Sequence, residues 1–541
     1  ETFDILFQPD SVRITVRAGT LLSEAMNAIG LAIHLPCGGT GRCGKCTVEI
    51  HPVAPEPNGF DREHLSEEEL LRGVRLACKT KIDRPMHILI KPGIRVSDGK
   101  ILVDGIEKDF DLDPCVEKRY IELPEPTLDD QAPDLMRIKR ALGMPDEGCP
   151  EFDIDLVREL PDIIRSAGFR VTTVNANGRI VIVEPGDTSS RLYGIAFDIG
   201  TTTVVGTVID LHDGSELAYA SRLNAQVVYG EDTISRIKHA IEQKNGRRDM
   251  AEKIREVINS IITEASEKAG ITPNEIYEAV FVGNTTMSHL LLGFNPEGLS
   301  RIPFVPVTNA PVNLSARDAG VAINPRGNVY VLPNIAGFVG SDTVAVMLAS
   351  NYLEPGPTRL AVDVGTNGEL ALRHNGNLTV CSTAAGPALE GAALSCGMRA
   401  ASGAIEHVRI TPDGVECDVI GDTEPVGVCG SGIIDLIAEL LDAGIVDTLG
   451  RILTREELAG TVSGPLLDRM VTVNGEQAFL VASGKKSGHM SRNVIITQRD
   501  IRQIQLAKGA ISSGIKIILK TAGLTPDDLD GILLAGAFGN Y

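Results

Sequence analysis

Four cysteines near the N-terminus have the spacing expected of ligands to an iron–sulfur cluster. Cys37, Cys43 and Cys46 are separated by five and then two residues, and Cys78 follows further along the chain. Cysteine thiolates hold [2Fe-2S] clusters in this way, with three close ligands and one distant ligand. The chemistry predicted by this spacing is one-electron transfer, with these four residues as the metal ligands.

Glycines between the cysteines favour a cluster over other uses of the thiols. Gly38, Gly39, Gly41 and Gly44 allow the backbone to curl with positive φ and to point N–H groups at a cluster. Structural zinc sites usually set their cysteines as two close pairs, and this chain has no such division. Four unrelated buried thiols are the other alternative, but free cysteines scatter rather than cluster. The remaining cysteines lack ligand spacing and are interpreted as small core or surface thiols: Cys115, Cys149, Cys381, Cys396, Cys417 and Cys429.

The elements around these cysteines resemble a [2Fe-2S] ferredoxin, nearer to the adrenodoxin branch than to the plant branch. Residues 3–7 and 12–16 alternate like the strands of a hairpin, and residues 21–29 follow a helical pattern that stops at Gly30. A second helix is predicted to begin at Ser66, with Glu69 completing a capping box, and to deliver Cys78 at its end. The resemblance implies a β-grasp fold over residues 1–92.

A second kind of chemistry is indicated by two similar turns in the C-terminal half. Residues 192–203 and 359–368 share an apolar strand followed by Asp, an aliphatic residue, Gly and Thr. In such a turn the glycine admits a phosphate, the hydroxyls donate to its oxygens, and the aspartate holds Mg²⁺ directly or through water. The repetition predicts a duplicated fold whose two turns grip a phosphate chain from both sides.

This repeat resembles the acetate kinase, sugar kinase, Hsp70 and actin superfamily, in which two related lobes close on ATP. The resemblance implies catalytic roles for Asp198 and Asp363, and phosphate contacts from Gly200, Thr201, Thr202, Thr203, Gly365, Thr366 and Asn367. Two further segments match one another, as duplication requires. The first of these segments carries Gly283 and Asn284. The second carries Gly536 and Gly539 and resembles the adenosine loop of the superfamily.

A glycine-rich helix entry at residues 427–435 leaves two interpretations open. The backbone N–H groups of Gly430, Ser431 and Gly432 could face the nucleotide. Alternatively, the glycines could allow the helix to pack closely against a strand.

Composition limits the class of protein. The chain has 541 residues, 43% of them apolar, which predicts a globular protein of several domains. A net charge of -21 argues against nucleic-acid or anionic membrane surfaces. No apolar run is long enough to span a membrane and no signal peptide is visible, so a cytoplasmic location is expected. The chain starts at Glu1 without methionine and ends at Tyr541, directly after the proposed adenosine loop, so both ends are expected to be incomplete.

The predicted organisation is multidomain. Residues 1–92 form the ferredoxin domain, 93–115 a linker, 116–191 a small α+β spacer or interaction domain, and 192–541 a duplicated α/β ATPase domain with lobes at about 192–355 and 356–541. Within residues 116–191, Asn177-Gly178 predicts a hairpin turn. Pro161 is expected to bend or shorten a helix over 154–167.

This domain order resembles one family across nearly the whole chain, the reductive activators of corrinoid proteins in anaerobic methyl-transfer metabolism such as O-demethylation. The resemblance implies that a [2Fe-2S] cluster passes one electron to cobalt(II) of a corrinoid protein, regenerating cobalt(I) at the expense of ATP and Mg²⁺. The implied partners are that corrinoid protein, a low-potential donor such as ferredoxin or flavodoxin, and a second copy of the chain in a homodimer.

Other functions stay open at this point. One is an electron relay or redox sensor that binds nucleotide without turnover, and another is a metabolite kinase with a regulatory ferredoxin domain. A third, ATP-driven electron injection into an aromatic-ring reductase, usually employs a cluster shared between subunits, so the dedicated ferredoxin domain disfavours it.

Overall fold

The structure is a computed structural model of the chain. It describes residues 2–8, 12–29, 31, 33, 39, 41, 44–90, 112–144, 154–230, 232–352, 356–365, 367–391, 394–398, 400–473, 475–484 and 493–536. The connector predicted at 93–115 lies largely outside these residues. In the described part of the chain, no helix combines the length and the apolar character that crossing a bilayer requires.

The N-terminal unit is a β-grasp arrangement, a mixed sheet with a helix packed on it. The strand order is β2-β1-β5-β3-β4, with β1 parallel to β5 and antiparallel to β2. Ile5, Phe7 and Met26 lie in its buried core. Its elements are β1 (Thr2–Gln8), β2 (Val12–Arg17), α1 (Leu22–Ala28), β3 (Thr47–His51), α2 (Gly59–His64), α3 (Glu67–Leu71), β4 (Val74–Leu76) and β5 (Met86–Ile90).

The predicted start of the helix before Cys78 is confirmed, but its predicted end is wrong. Ser66 does cap α3, and Glu69 completes the capping box with its side chain on the Ser66 N–H at 3.0 Å. The helix does not reach Cys78, however, because Gly73 has φ +85° and the chain then enters β4. Cys78 lies in the turn after that strand, and the N–H of Ala77 donates to the carbonyl of Cys46 at 2.8 Å. It is therefore this turn, and not the end of a helix, that places Cys78 beside Cys46.

The next unit is a small sheet in the order β6-β7-β8 with two helices on it. The predicted turn is confirmed, with φ of 50° at Asn177 and 77° at Gly178. Pro161 does not shorten its helix, because Leu156, Leu160 and Ile164 bury one face on both sides of the proline. The elements are β6 (Val116–Glu122), α4 (Asp134–Ala141), α5 (Ile154–Ser166), β7 (Arg170–Ala176) and β8 (Arg179–Pro185).

The first lobe of the C-terminal part has the sheet order β11-β10-β9-β12-β14-β13. Its core includes Ile254, Ile258 and Ile261, whose spacing of four and then three residues places them on one face of a helix. The elements are β9 (Tyr193–Ile199), β10 (Thr203–Asp210), β11 (Glu216–Leu223), α6 (Thr233–Glu242), α7 (Gly246–Ala269), β12 (Ile276–Gly283), α8 (Thr285–Leu292), β13 (Val312–Ser315), α9 (Ala316–Ala319), β14 (Asn328–Val331) and α10 (Ser341–Ala349).

The second lobe has a sheet in the order β17-β16-β15-β24 and two smaller sheets, β19-β18-β20 and β21-β22-β23. Its first elements are β15 (Arg359–Val364), β16 (Gly368–His374), β17 (Asn377–Thr383), β18 (Ala404–Thr411), β19 (Gly414–Val419), β20 (Gly427–Val428) and α11 (Gly430–Asp442). The rest are α12 (Arg455–Leu458), α13 (Gly464–Leu467), β21 (Met470–Val473), β22 (Glu476–Ala482), β23 (Val494–Thr497), α14 (Gln498–Thr521) and β24 (Gly531–Ala535).

The two lobes repeat one topology, as the sequence repeat predicted. In the first lobe, β9 pairs antiparallel with β10 and parallel with β12, and β12 follows the long helix α7. In the second, β15 pairs antiparallel with β16 and parallel with β24, and β24 follows the long helix α14. The two aspartate turns therefore occupy equivalent places, each between the first two strands of its sheet.

Candidate functional site

Asp198 is the last residue but one of β9, and the first aspartate turn runs from the end of that strand to Thr203 at the start of β10. The N–H of Gly200 donates to the carbonyl of Thr203 at 2.9 Å, which closes the turn. A Cβ on Gly200 would lie 2.7 Å from that same carbonyl oxygen, so only glycine fits. The fully buried Asn224 fixes the turn from behind, donating its amide to the Gly200 carbonyl at 2.9 Å.

A buried guanidinium supports the same turn. The side chain of Arg236 is fully buried and donates to the carbonyls of Thr201 and, at 2.8 Å, Gly230. The amide of Asn284, which caps α8 after β12, donates to the Thr201 hydroxyl at 3.0 Å. The structure thus brings together the residues predicted in these two segments of the first lobe. Arg236 was not anticipated, because its role depends on a contact from a helix distant in sequence.

The second aspartate turn is built in the same way. Asp363 lies near the end of β15, and the Gly365 N–H donates to the Asn367 carbonyl at 3.0 Å. Gly536, with φ +84° at the end of β24, approaches Asp363 so closely that a Cβ there would lie 2.7 Å from the carboxylate oxygen Oδ1. Two other predicted contacts, Thr366 and Gly539, lie outside the described residues.

The two turns face one cleft between the lobes. The hydroxyl of Thr202 in the first turn donates to the Glu390 carboxylate of the second lobe at 3.2 Å. Burial raises the pKa of Asp198 to about 7, and the negative charges of Asp342 and Asp363 add to this shift. The charge of one turn therefore acts on the aspartate of the other.

Four more carboxyl groups lie at this cleft beside Glu390. Burial raises the pKa of Asp363 to about 6 and, together with repulsion from Asp342 and Asp363, raises that of Glu369 to about 8. Burial also raises the pKa of Asp342 at the start of α10. Asp198 remains accessible to solvent from the cleft while protein crowds its other sides. Asp342, Glu369 and Glu390 were missed at the sequence level, because none of them lies in a repeated motif.

These carboxylates fit a cation that brings ligands of its own. Among the described residues, no three His, Cys, Asp or Glu side chains converge closely enough to hold a metal ion by themselves. Mg²⁺ usually keeps several waters and is held by one or two carboxylates plus phosphate oxygens. The cleft suits that mode, since phosphate oxygens and water can complete the coordination.

The glycine-rich entry to α11 has a packing explanation. A Cβ on Gly432 would lie 2.3 Å from the carbonyl oxygen of Ile405 in β18, so the helix needs glycine in order to touch that strand. The N–H of Cys429 donates to the same carbonyl at 3.1 Å. Nucleotide contacts from Gly430, Ser431 and Gly432 stay a prediction.

Two of the proposed cluster ligands meet in the N-terminal unit. The Sγ atoms of Cys46 and Cys78 are 3.2 Å apart and both residues are buried. Gly41 and Gly44 have φ of 86° and 65°, and a Cβ on either would collide with a neighbouring side chain. This donor pair beside left-handed glycines fits a thiolate-held cluster. Cys37 and Cys43 lie outside the described residues, so their part in it stays a prediction.

Comparison with known families covers most of the chain. Residues 6–83 match the 2Fe-2S iron-sulfur cluster binding domain, and residues 105–190 match the RACo linker region. Residues 193–354 match the RACo middle region, and residues 357–541 match the C-terminal domain of RACo, the ASKHA domain.

Whole-chain relatives agree with these matches. The chain is 35% identical to the corrinoid activation enzyme RamQ of Eubacterium limosum, over 99% of this chain and 86% of that protein. It is 24% identical to the [Co(II) methylated amine-specific corrinoid protein] reductase of Methanosarcina barkeri, over 65% and 64% of the two chains. The solved structure of a reductive activator for corrinoid, iron-sulfur protein superposes with a TM-score of 0.70 at 34% identity, covering 100% of this chain and 87% of that one.

The fold and the two sites define a class of protein, in which an iron–sulfur domain and a two-lobed ASKHA domain are joined in one chain. Within that class, the chain belongs to the family of the corrinoid activation enzyme RamQ.

Proposed function

We propose that this protein reductively activates a corrinoid protein, transferring one electron from a [2Fe-2S] cluster to cobalt(II) and using ATP to drive the transfer. Support comes from the names of its relatives and from one observation in the chain itself. Cys46 and Cys78 lie together in one domain, while the aspartates of both lobes face a single cleft in another. An electron-transfer site and a nucleotide site are what such a reaction requires.

Each group of residues has a separate role in this proposal. Cys37, Cys43, Cys46 and Cys78 would hold the cluster, which supplies a single low-potential electron when bound. Asp198 and Asp363 would hold Mg²⁺ against the phosphates, with the hydroxyls of Thr201 and Thr202 donating to phosphate oxygens. A low-potential ferredoxin or flavodoxin would recharge the cluster after each transfer.

ATP has a physical reason to be involved. Plant-type [2Fe-2S] ferredoxins have potentials near about -400 mV, and forming cobalt(I) demands a still lower potential. Each further 100 mV in a one-electron step costs about 2.3 kcal/mol, taking roughly 59 mV for each tenfold change in the equilibrium constant. A nucleotide that favours one geometry of the complex about fiftyfold over another would offset that difference.

The test follows cobalt(I) formation and ATP hydrolysis together. Anaerobic protein, titanium(III) citrate and a purified corrinoid protein in the cobalt(II) state are mixed with MgATP, and cobalt(I) absorbance and phosphate release are recorded. Asp198→Asn is expected to abolish both signals, whereas Cys78→Ser is expected to abolish only cobalt(I) formation. Asp213→Asn, in an exposed turn of the same lobe, is the matched control and should behave as the wild type.

The outcomes separate the proposal from its alternatives. Cobalt(I) formation that persists in Asp198→Asn would exclude ATP as the driving force and would favour an electron relay. Cobalt(I) formation that persists in Cys78→Ser after loss of the cluster would exclude the proposed electron path.

A further inference from the structure

The short helix α2 of the N-terminal unit is fastened to the strand that leads to Cys78. At its start, the N–H of Asn58 donates to one oxygen of the Asp61 carboxylate at 2.9 Å. The other oxygen accepts the N–H of Leu76 in β4, also at 2.9 Å, and Asp61 is fully buried. Because Leu76 is two residues before Cys78, this carboxylate holds α2 beside one proposed ligand.

One face of α2 rests on the loop that carries the other proposed ligands. Phe60 and His64 are four residues apart, so their side chains lie on the same side of the helix. A Cβ on Gly41 would lie 2.7 Å from Cδ1 of Phe60. A Cβ on Gly44 would lie 2.9 Å from Cβ and 3.0 Å from Cγ of His64. The loop therefore needs glycine at both positions in order to lie against this helix.

The imidazole of His64 has an unused donor in this position. Its Nε2 atom is buried and has no hydrogen-bond partner among the described residues. A buried polar atom without a partner is costly, because it has lost its hydrogen bonds to water. Gly44, against which the ring packs, lies between the proposed ligands Cys43 and Cys46. The acceptors that a thiolate-held cluster offers at this place are sulfur atoms with negative charge.

We propose that His64 donates a hydrogen bond from its Nε2–H to a sulfur atom of the [2Fe-2S] cluster and thereby raises the reduction potential of that cluster. The inference rests on the proposed function, since it needs the cluster that this function assigns to the domain. Reduction adds one electron and no proton, so the acceptor becomes more negative. A hydrogen bond to a charged group is roughly twice as strong as one between neutral groups, so the donor favours the reduced state.

This hydrogen bond adjusts the balance between the two electron transfers of the proposed function. A higher potential allows the external donor to reduce the cluster more readily, and it makes the onward transfer to cobalt(II) less favourable. Hydrogen bonds to the sulfurs are among the features that set the potential of iron–sulfur clusters. Without the bond we expect the equilibrium constant for reduction to fall about tenfold, which corresponds to about 59 mV in a one-electron couple.

The experiment is a redox titration of the full-length, cluster-loaded protein, followed by electron paramagnetic resonance of the reduced state. His64→Leu removes the donor and is expected to shift the midpoint potential by about 59 mV in the negative direction. His64→Gln keeps a side-chain N–H and should stay close to the wild type, although it also changes the packing against Gly44. His87→Leu, which replaces an exposed histidine of β5, is the matched control.

A second measurement does not require His64→Leu to assemble its cluster. Wild-type protein containing histidine with ¹⁵N in its ring is reduced and examined by pulsed electron paramagnetic resonance. A histidine nitrogen that donates to a cluster sulfur is expected to give a ¹⁵N coupling to the unpaired electron. This coupling should be lost in His64→Gln and kept in His87→Leu.

Three results would count against the inference. Equal midpoint potentials of His64→Leu and His87→Leu would overturn it. A wild-type spectrum without the ¹⁵N coupling, or a coupling that persists in His64→Gln, would do the same. Wild-type protein that takes up no [2Fe-2S] cluster would instead overturn the proposed function, and this inference with it.

Discussion

At the scale of single residues, Asp198 carries a conflict between stability and function. Its pKa is raised to about 7 by burial and by the neighbouring charges of Asp342 and Asp363, whereas an exposed aspartate titrates near about 4. The folded protein therefore binds more protons than the unfolded chain between about pH 4 and pH 7. Stability is lost as the pH rises through this window, because the ionised carboxylate is disfavoured in the fold.

The first prediction concerns Asp198→Asn. The neutral amide avoids both the burial of a charge and the repulsion from Asp342 and Asp363. We therefore expect an unfolding midpoint on the order of 2–4 °C higher at pH 8, with the difference shrinking towards pH 5. Differential scanning calorimetry of the nucleotide-free protein across that pH range measures this. Mg²⁺ should narrow the difference at pH 8 by partly neutralising the carboxylates of the wild type.

Asp213→Asn is the control, because the pKa of Asp213 is shifted in the opposite direction to that of Asp198. The hydroxyl and N–H of Ser215 donate to Asp213 and lower the pKa of that carboxyl, so its ionised form is favoured in the fold. The Asn variant should gain no stability at pH 8. An Asp198→Asn protein that is no more stable than the wild type at pH 8 would contradict the first prediction.

At the scale of elements, two helical glycines differ in how closely other atoms approach them. Gly432 in α11 lies against the carbonyl of Ile405, whereas a Cβ on Gly509 in α14 would meet no atom within 4 Å. Added volume in a packed contact costs about 1–3 kcal/mol. The same alanine in an open helical position gains about 0.5–1 kcal/mol from backbone entropy.

The second prediction is that Gly432→Ala and Gly509→Ala move stability in opposite directions. Gly432→Ala should lower the unfolding free energy of the second lobe by about 1–3 kcal/mol, and Gly509→Ala should raise it by up to about 1 kcal/mol. Urea titration followed by circular dichroism compares the two variants. Equal stability of both would show that α11 does not depend on this close packing.

A buried polar network joins the small sheet of β6, β7 and β8 to the first lobe. The Lys118 ammonium in β6 donates to Glu184 at 2.7 Å and to the Tyr277 hydroxyl of β12 at 2.8 Å, and the lysine side chain is only 1% exposed. The Tyr277 hydroxyl in turn donates to Glu184 at 2.6 Å. Burial lowers the pKa of Lys118 in spite of its acidic partner.

The third prediction is that Lys118→Met destabilises this junction by about 3–5 kcal/mol. Removing one member of a buried ion pair leaves the charge of the other uncompensated. In Lys118→Met, the uncompensated charge is the carboxylate of Glu184. Lys238→Met is the matched control, since Lys238 and Glu242 are exposed and 4.0 Å apart. Such surface pairs contribute at most about 1 kcal/mol. Similar urea midpoints for the two variants would show that the network does not hold the junction.

At the scale of the whole molecule, the two sites are built from separate parts of the chain. Cys46 directly precedes β3 and Cys78 follows β4 in the N-terminal sheet, whereas Asp363 lies in the sheet of β15, β16, β17 and β24. The contact of Lys45 with Leu394 joins the two parts but includes neither a cysteine nor an aspartate.

The fourth prediction is that Asp363→Asn loses MgATP binding and keeps its cluster. We expect about two irons per chain and an unchanged visible spectrum, since cysteine thiolates alone hold the cluster. Iron analysis and titration with a nonhydrolysable ATP analogue test this, and Cys78→Ser should lose the iron instead. A fall in iron content of Asp363→Asn to the level of Cys78→Ser would contradict this independence of the two sites.

Much of this protein was determined locally by its sequence. The hairpin at Asn177-Gly178, the capping box of Ser66 with Glu69 and the repeated strand-turn-strand units depend on neighbouring residues, so short patterns predicted them. The prediction that a helix carries Cys78 was wrong, because Gly73 ends that helix early. The prediction that Pro161 shortens its helix was also wrong, because residues on both sides of the proline bury one face of the helix.

Only the tertiary structure decided which distant residues share the cleft. Asp342, Glu369 and Glu390 lie outside any repeated motif, and Arg236 reaches the Thr201 carbonyl from a separate helix. Lys45 reaches Leu394 from another domain. The physical reason is that charge repulsion and hydrogen bonding act through space, whereas helix, strand and turn preferences act along the chain.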